Sequence, residues 1–253
     1  MSLDTDPPTP VELGKAWRAL RALQRNPQDT RQVFLLTEAI KGRSPFKLLA
    51  RFRADPMGAE RLRERRTLLA TLNRTEWLQS LPEGSFGKVY HDFLAEEQLS
   101  AQGLVDISMS AGNTLPDDGS DRHYIGRRLR DMHDLFHVLC GYGRDELGEV
   151  CVLAFSYPHQ YTRGFAVIAS LGVFVLRRRL KVPGVLGAAV QAWRHGRAAA
   201  WLPVQPLEAL LTRDLQELRR ELKIRPPTRY LAVIDRLQAR GKSIAQPPGR
   251  ALA

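Results

Sequence analysis

Residues 133–149, HDLFHVLCGYGRDELGE, set two histidines and an aspartate on one helical face and a glutamate just past a glycine-rich reversal. At about 100° per residue, Ile125, Leu129, Met132, Phe136 and Leu139 fall on one apolar stripe, the face that packs. His133, Asp134 and His137 lie together beside that stripe. Histidines at i and i+4 can aim two imidazoles at one ion, and Asp134 brings a carboxylate to the same neighbourhood. Gly141 and Gly143 permit the chain to turn back. Glu149 follows His137 after eleven residues and shares a face of the next helix with Val152, Leu153 and Ser156. A carboxylate among apolar groups is costly unless a cation pairs with it, and a metal held by the first helix would be that cation.

Competing readings surround this pattern. Taken alone, His133 and His137 also fit an ordinary polar helix face. Glu146, one turn before Glu149, is a rival ligand, and so is Cys140, although a lone helical cysteine more often serves packing. The HExxH zinc-protease motif is excluded because position 134 is Asp. A phosphohydrolase of the HD type would need a further histidine, for which His91 or His123 could be recruited. Arg130, one turn before His133 and Asp134, is a candidate catalytic residue that could clamp Asp134 or bind an anionic substrate group, set against an exposed surface arginine.

Outward from this stretch the pattern is helical throughout. An amphipathic segment carrying Trp17, Leu20 and Leu23 stops at Asn26-Pro27, and Asp29 is placed to cap the next, which ends on Gly42. A single arginine-rich helix is expected over AERLRERRTLLATL, with Leu62, Leu69 and Leu72 on its face, and another helix from about Ser85. Residues 106–122 read as a loop, and a helix is expected from about Asp145 to Tyr157. Further helices are expected over 161–180, over VLGAAVQAWRHGR, over LEALLTRDLQELRRELKI and over PTRYLAVIDRLQARG. With no alternating strand pattern and no repeat, the expectation is an all-α fold, one multi-helix domain over residues 1–253, with flexible tails at 1–10 and 241–253.

Composition narrows the function classes. A chain of 253 residues that is 43% hydrophobic can bury a full core. The net charge of +11 favours anionic partners. The basic residues are scattered without interleaved aromatics, which argues against nucleic acid. Two cysteines, Cys140 and Cys151, cannot build a disulfide framework or a four-thiolate zinc site, and they point to a reducing compartment. The most apolar run, GFAVIASLGVFVL, has thirteen residues, short of the roughly 20 that span a bilayer. Arg177, Arg178 and Arg179 follow it, so it reads either as a buried helix with a basic end or as a wall facing lipid.

The spacing HDxxH, eleven residues, then Glu resembles the signature of the coenzyme Q (ubiquinone) biosynthesis protein 4 family. Its flanks agree at LPEGSFGKVYHDFL, LGEV, HGR and LQELRRELKI, and the similarity covers about residues 26–224. The resemblance implies a helical, peripheral membrane protein acting on polyprenylated ring precursors, with an apolar groove for the lipid. It implies a divalent metal, usually zinc, at His133, Asp134, His137 and Glu149; a redox-active ion would suit oxygen chemistry. The implied activity is oxidative decarboxylation at ring C1, replacing a carboxylate by a hydroxyl, with a non-catalytic organiser of the biosynthetic complex as the alternative. Implied partners are the quinone precursor, the membrane surface and other ubiquinone biosynthesis proteins, and a homo-oligomer is compatible with it. With no transit-peptide pattern in view, the expected location is cytoplasmic, peripheral on the inner face of a bacterial cell membrane.

Overall fold

The structure, a computed structural model, describes residues 10–25, 30–96, 119–242 and 248; Asp29, the residues 106–118 expected as loop and most of both tails lie outside them. Among the described residues the regular structure is helical, with a lone antiparallel bridge between Ser85 and Asp214. The fold is therefore all-α. Tertiary contacts divide it into two compact units.

The first unit holds α1 (Leu13–Arg25), α2 (Thr30–Ile40), α3 (Ser44–Ala54), α4 (Pro56–Glu64), α5 (Leu68–Leu72) and α8 (Asp121–Asp131). Helix α1 lies on α2 through Ala16 and Ala19 rather than through Trp17, which is 55% exposed beneath the Arg21 guanidinium. The helix expected over AERLRERRTLLATL is two helices, not one. Arg65 takes a left-handed conformation (φ 49°) and ends α4. Its guanidinium donates to the Gly119 carbonyl at 2.7 Å and to Asp121 at 2.6 Å, bonds that offset a backbone conformation most residues avoid. Ser120 caps α8 by accepting from the His123 N–H at 3.1 Å.

The second unit holds α6 (Thr75–Gln79), α7 (Phe86–Glu96), α9 (His133–Cys140), α10 (Glu146–Gln160), α11 (Arg163–Leu180), α12 (Val185–Ala198), α13 (Leu207–Leu210), α14 (Leu215–Glu221) and α15 (Thr228–Gln238); the first residues of α11 and the last of α10 count with the other unit. Helix α9 packs against α7 and α14, and α12 against α15. The helix expected to run through the histidines breaks instead at Met132, so α8 and α9 are separate. Helix α10 runs three residues past Tyr157, carrying Pro158 within its last turn; the proline forfeits one hydrogen bond without stopping the helix. The segment LEALLTRDLQELRRELKI divides into α13 and α14, because Asp214 caps α14 by accepting from the Glu217 N–H at 2.8 Å. Gly196 of α12 sits where a Cβ would lie 2.2 Å from the Phe155 carbonyl oxygen, so glycine is what lets α12 approach α10.

Candidate metal centre

The site lies within the second unit. Helix α9 is buried from Asp134 to Cys140, which excludes the wet-face reading for His137, whereas His133 at its first position keeps part of its side chain exposed. Gly141, at φ 70°, ends it in a left-handed cap: the Gly141 and Tyr142 N–H groups donate to the His137 carbonyl at 2.9 and 3.1 Å. Arg219 of α14 completes that end, donating to the Leu139 carbonyl at 3.0 Å and the Val138 carbonyl at 2.9 Å. Replacing Arg219 by Ala strips two part-buried acceptors at the C-terminus of the histidine helix, and denaturant unfolding should report a loss of about 2–3 kcal/mol. Arg219→Lys should recover only part of it, since an ammonium lacks the fork that serves both carbonyls. Full stability in Arg219→Ala would mean that these bonds hold nothing.

Among the described residues, His133, His137 and Glu149 bring one donor atom each to within 4.8 Å of one another. Nε2 of His133 and Nε2 of His137 both stand 3.5 Å from Glu149 Oε2. Two donors held about 2.1 Å from a tetrahedral ion are about 3.4 Å apart, so the spacing suits a divalent cation. The imidazoles meet edge to face at 5.0 Å, and Phe93 of α7 stacks on the far ring of the pair, that of His137, at 5.7 Å.

His137 decides what the cluster needs. Its Nδ1 is 3.1 Å from both the Tyr142 and Gly143 carbonyls; carbonyl oxygens only accept, so Nδ1 carries the proton. That leaves Nε2 buried and without a hydrogen bond, pointed towards a carboxylate. Unprotonated, it presents a lone pair to an anion; protonated, it has no properly placed acceptor. A cation between them resolves both cases. Burial pushes the Glu149 carboxyl up, but positive charge on the neighbouring His137 and His133 holds it well below the usual carboxylate range. Burial opposes charge on His133 most strongly, and the bond to Glu149 together with the negative charges of Glu149 and Asp134 outweighs it and raises the imidazole above its ordinary value. The site therefore attracts positive charge, whether as protons or as an ion. Glu149 keeps about a third of its side chain exposed, leaving an approach from solvent.

The remaining sequence candidates are placed differently. Asp134 is buried and turned to Arg144, whose guanidinium donates to it at 2.8 Å, so it stands outside the three-residue cluster. Arg130 donates through Nε and Nη2 to Asp131, at 2.9 and 2.8 Å. Glu146 pairs with Arg179, and His91 Nδ1 lies 2.9 Å from Asp92. Cys140 is a buried free thiol that burial keeps protonated. Residues with no ligand-like signal complete the surroundings: Arg144, the Tyr142 and Gly143 carbonyls, Asp145 and the distant Tyr230.

A family model described as coenzyme Q (ubiquinone) biosynthesis protein Coq4 matches residues 11–228, beginning before Asn26 and so taking in α1. The ubiquinone biosynthesis protein COQ4 homolog, mitochondrial, of Danio rerio is 31% identical over 218 residues, covering 84% of this chain and 76% of that one. Its counterpart from Rattus norvegicus is 33% identical over 187 residues, covering 70% of this chain and 64% of its own length. A crystal structure from Nostoc punctiforme PCC 73102, of a protein described as a candidate in ubiquinone biosynthesis, matches with a TM-score of 0.66 at 19% identity. The match covers 85% of this chain and 99% of that one, a likeness of fold. With more than half its length matched by one family model, this chain belongs to the Coq4 family of coenzyme Q (ubiquinone) biosynthesis proteins.

Proposed function

We propose that this chain carries out oxidative decarboxylation at ring C1 of a polyprenylated ubiquinone precursor, using a divalent ion held by His133, His137 and Glu149. Membership of the Coq4 family puts the chain in ubiquinone biosynthesis. The observation behind the metal is the buried, unbonded Nε2 of His137 facing Glu149. Zinc is the ion the family resemblance favours. Bound there, an ion with a free position would supply a Lewis acid for a ring oxygen, and a redox-active one could also engage oxygen.

Replacing the ring carboxyl by a hydroxyl releases carbon dioxide, takes one oxygen atom from water and removes two electrons and two protons, which dioxygen as the acceptor class carries away as hydrogen peroxide. The chain's own part is to hold His137 in one tautomer, keep Glu149 ionised and leave one side of the cluster open to the ring. Arg130 is assigned the departing carboxylate, which would take the place of Asp131 on its guanidinium. Asp134, the fourth ligand the resemblance implies, would have to leave Arg144 to join the ion.

A second reading, a non-catalytic lipid-binding organiser, is favoured by exposed apolar groups in the second unit. Val167, Phe174 and Val175 of α11 and Leu186 and Trp193 of α12 are exposed, with Arg178 over Phe174 at 4.1 Å and Arg197 over Trp193 at 5.0 Å. Aromatic side chains beside arginines suit a membrane surface, and no described helix is long and apolar enough to cross one. An apolar groove for the isoprenoid tail and contacts with other pathway proteins belong to both readings.

One experiment separates them: metal analysis of purified wild type and Glu149→Gln, together with ring decarboxylation in cells that depend on each. The enzyme reading expects Glu149→Gln to lose both the ion and the reaction. A metal-free wild type with full activity would sink it. A metal-free Glu149→Gln that still restores quinone levels selects the organiser.

A further inference from the structure

Behind the two ligand-bearing helices runs a chain of hydrogen bonds that none of the site residues explains. The Gly143 carbonyl accepts from His137 Nδ1 at 3.1 Å. The N–H of the same residue donates to the Tyr230 hydroxyl at 2.9 Å, and that hydroxyl donates in turn to Asp145 Oδ2. The other oxygen of Asp145 accepts from the Leu147 and Gly148 N–H groups, both at 3.1 Å, capping the first turn of α10. The Asp145 carbonyl also receives the N–H of Glu149 at 2.9 Å. A single phenol from α15, 81 residues beyond Glu149, thus joins the backbone that holds one ligand to the cap of the helix that carries another. Both Tyr230 and Tyr142, whose rings meet edge to face at 5.2 Å, are buried, so neither can relax towards solvent.

We infer that Tyr230 and Asp145 are positioning residues for the metal: together they fix the tautomer and direction of His137 and the register of Glu149 relative to it. The inference rests on the metal reading of the His133, His137 and Glu149 cluster. A donor that is free to rotate loses affinity because it must be ordered when the ion arrives; outer partners of metal ligands are worth about 10–100-fold in affinity for that reason. The strap acts through His137 and Glu149 and touches no reacting atom.

The test titrates the purified full-length chain with Zn2+ in competition with a chromogenic chelator, and records the visible spectrum of the Co2+-substituted protein. Tyr230→Phe keeps the ring and its packing but removes the hydroxyl from Gly143 and Asp145. Asp145→Asn keeps a good helix cap while withdrawing the charged acceptor of the Tyr230 proton. Both should weaken Zn2+ binding by about 10–100-fold and alter the Co2+ spectrum. Leu237→Ala, a core truncation on the same helix, should lower the melting temperature and leave both readouts unchanged. Affinity and spectrum equal to wild type in Tyr230→Phe and Asp145→Asn, or an equal loss in Leu237→Ala, overturns the positioning role alone. A wild type that binds neither ion overturns the metal reading and this inference with it.

Discussion

Saturating Zn2+, at about a hundred times its Kd, raises the melting temperature of the wild-type chain by about 5–10 °C and leaves that of His137→Ala where it was. The size follows from linkage: an ion bound only by the folded state at that excess contributes about 2.7 kcal/mol, and a chain of this length moves by about 2–4 °C per kcal/mol. His137 is the decisive residue because it is fully buried and its Nε2 has no other bond to fall back on. His133 keeps some exposure and can turn to water; His137 cannot. Losing a direct donor should cost more than the about 10–100-fold assigned to supporting partners. His91→Ala is the control, a histidine of α7 engaged with Asp92 and outside the cluster, and should respond to Zn2+ like wild type. An equal Zn2+ response in His137→Ala would show that the cluster is an ion pair holding protons and no metal.

Helical periodicity made most of the elements legible, since one apolar face per helix is the condition for burying it. The breaks were less legible because tertiary bonds pay for them. Nothing near Arg65 announces a left-handed residue; the bonds that stabilise it come from Gly119 and Asp121, more than fifty residues on. Trp17 is the largest apolar group in α1, yet Ala16 and Ala19 face α2, because small side chains let two helix backbones come close. Pro158 invited an early stop to α10, where the structure tolerates one lost bond. At the site, helical spacing brought the i, i+4 histidines and a returning carboxylate into view, but it left Glu146 and Cys140 as rivals, and the full ligand set with Glu149 came with the family resemblance. The partner of Asp134 was not legible, since a metal and the Arg144 guanidinium satisfy a carboxylate equally well and both lie within reach. Asp145 carried a visible signal, an aspartate before a helix, whereas Tyr230 carried none: its role exists only once α15 is packed.

Gly148→Ala should lower the stability of the chain by about 3 kcal/mol, a fall of about 6–12 °C in melting temperature, and should weaken the metal site as well. Gly148 has an ordinary helical backbone, so the penalty is one of space. A Cβ there would lie 1.9 Å from the Gly143 carbonyl oxygen, 2.8 Å from its carbonyl carbon and 3.1 Å from Asp145 Oδ2. Backbone cannot swing aside as a flexible side chain can, so the turn between α9 and α10 must shift by more than an ångström. The displaced oxygen is one of the two acceptors that hold His137, and Asp145 Oδ2 is the acceptor of Tyr230, so the same shift loosens both supports of the cluster. Gly126→Ala provides the opposite case. Nothing lies within 4 Å of a Cβ on Gly126, which sits inside α8, so alanine there should be neutral or stabilise by up to about 1 kcal/mol through its better helix propensity. Thermal melts of the two variants, with and without Zn2+, check both signs at once. If Gly148→Ala melts with wild type and keeps its Zn2+ response, the turn has room to spare and is not what fixes His137.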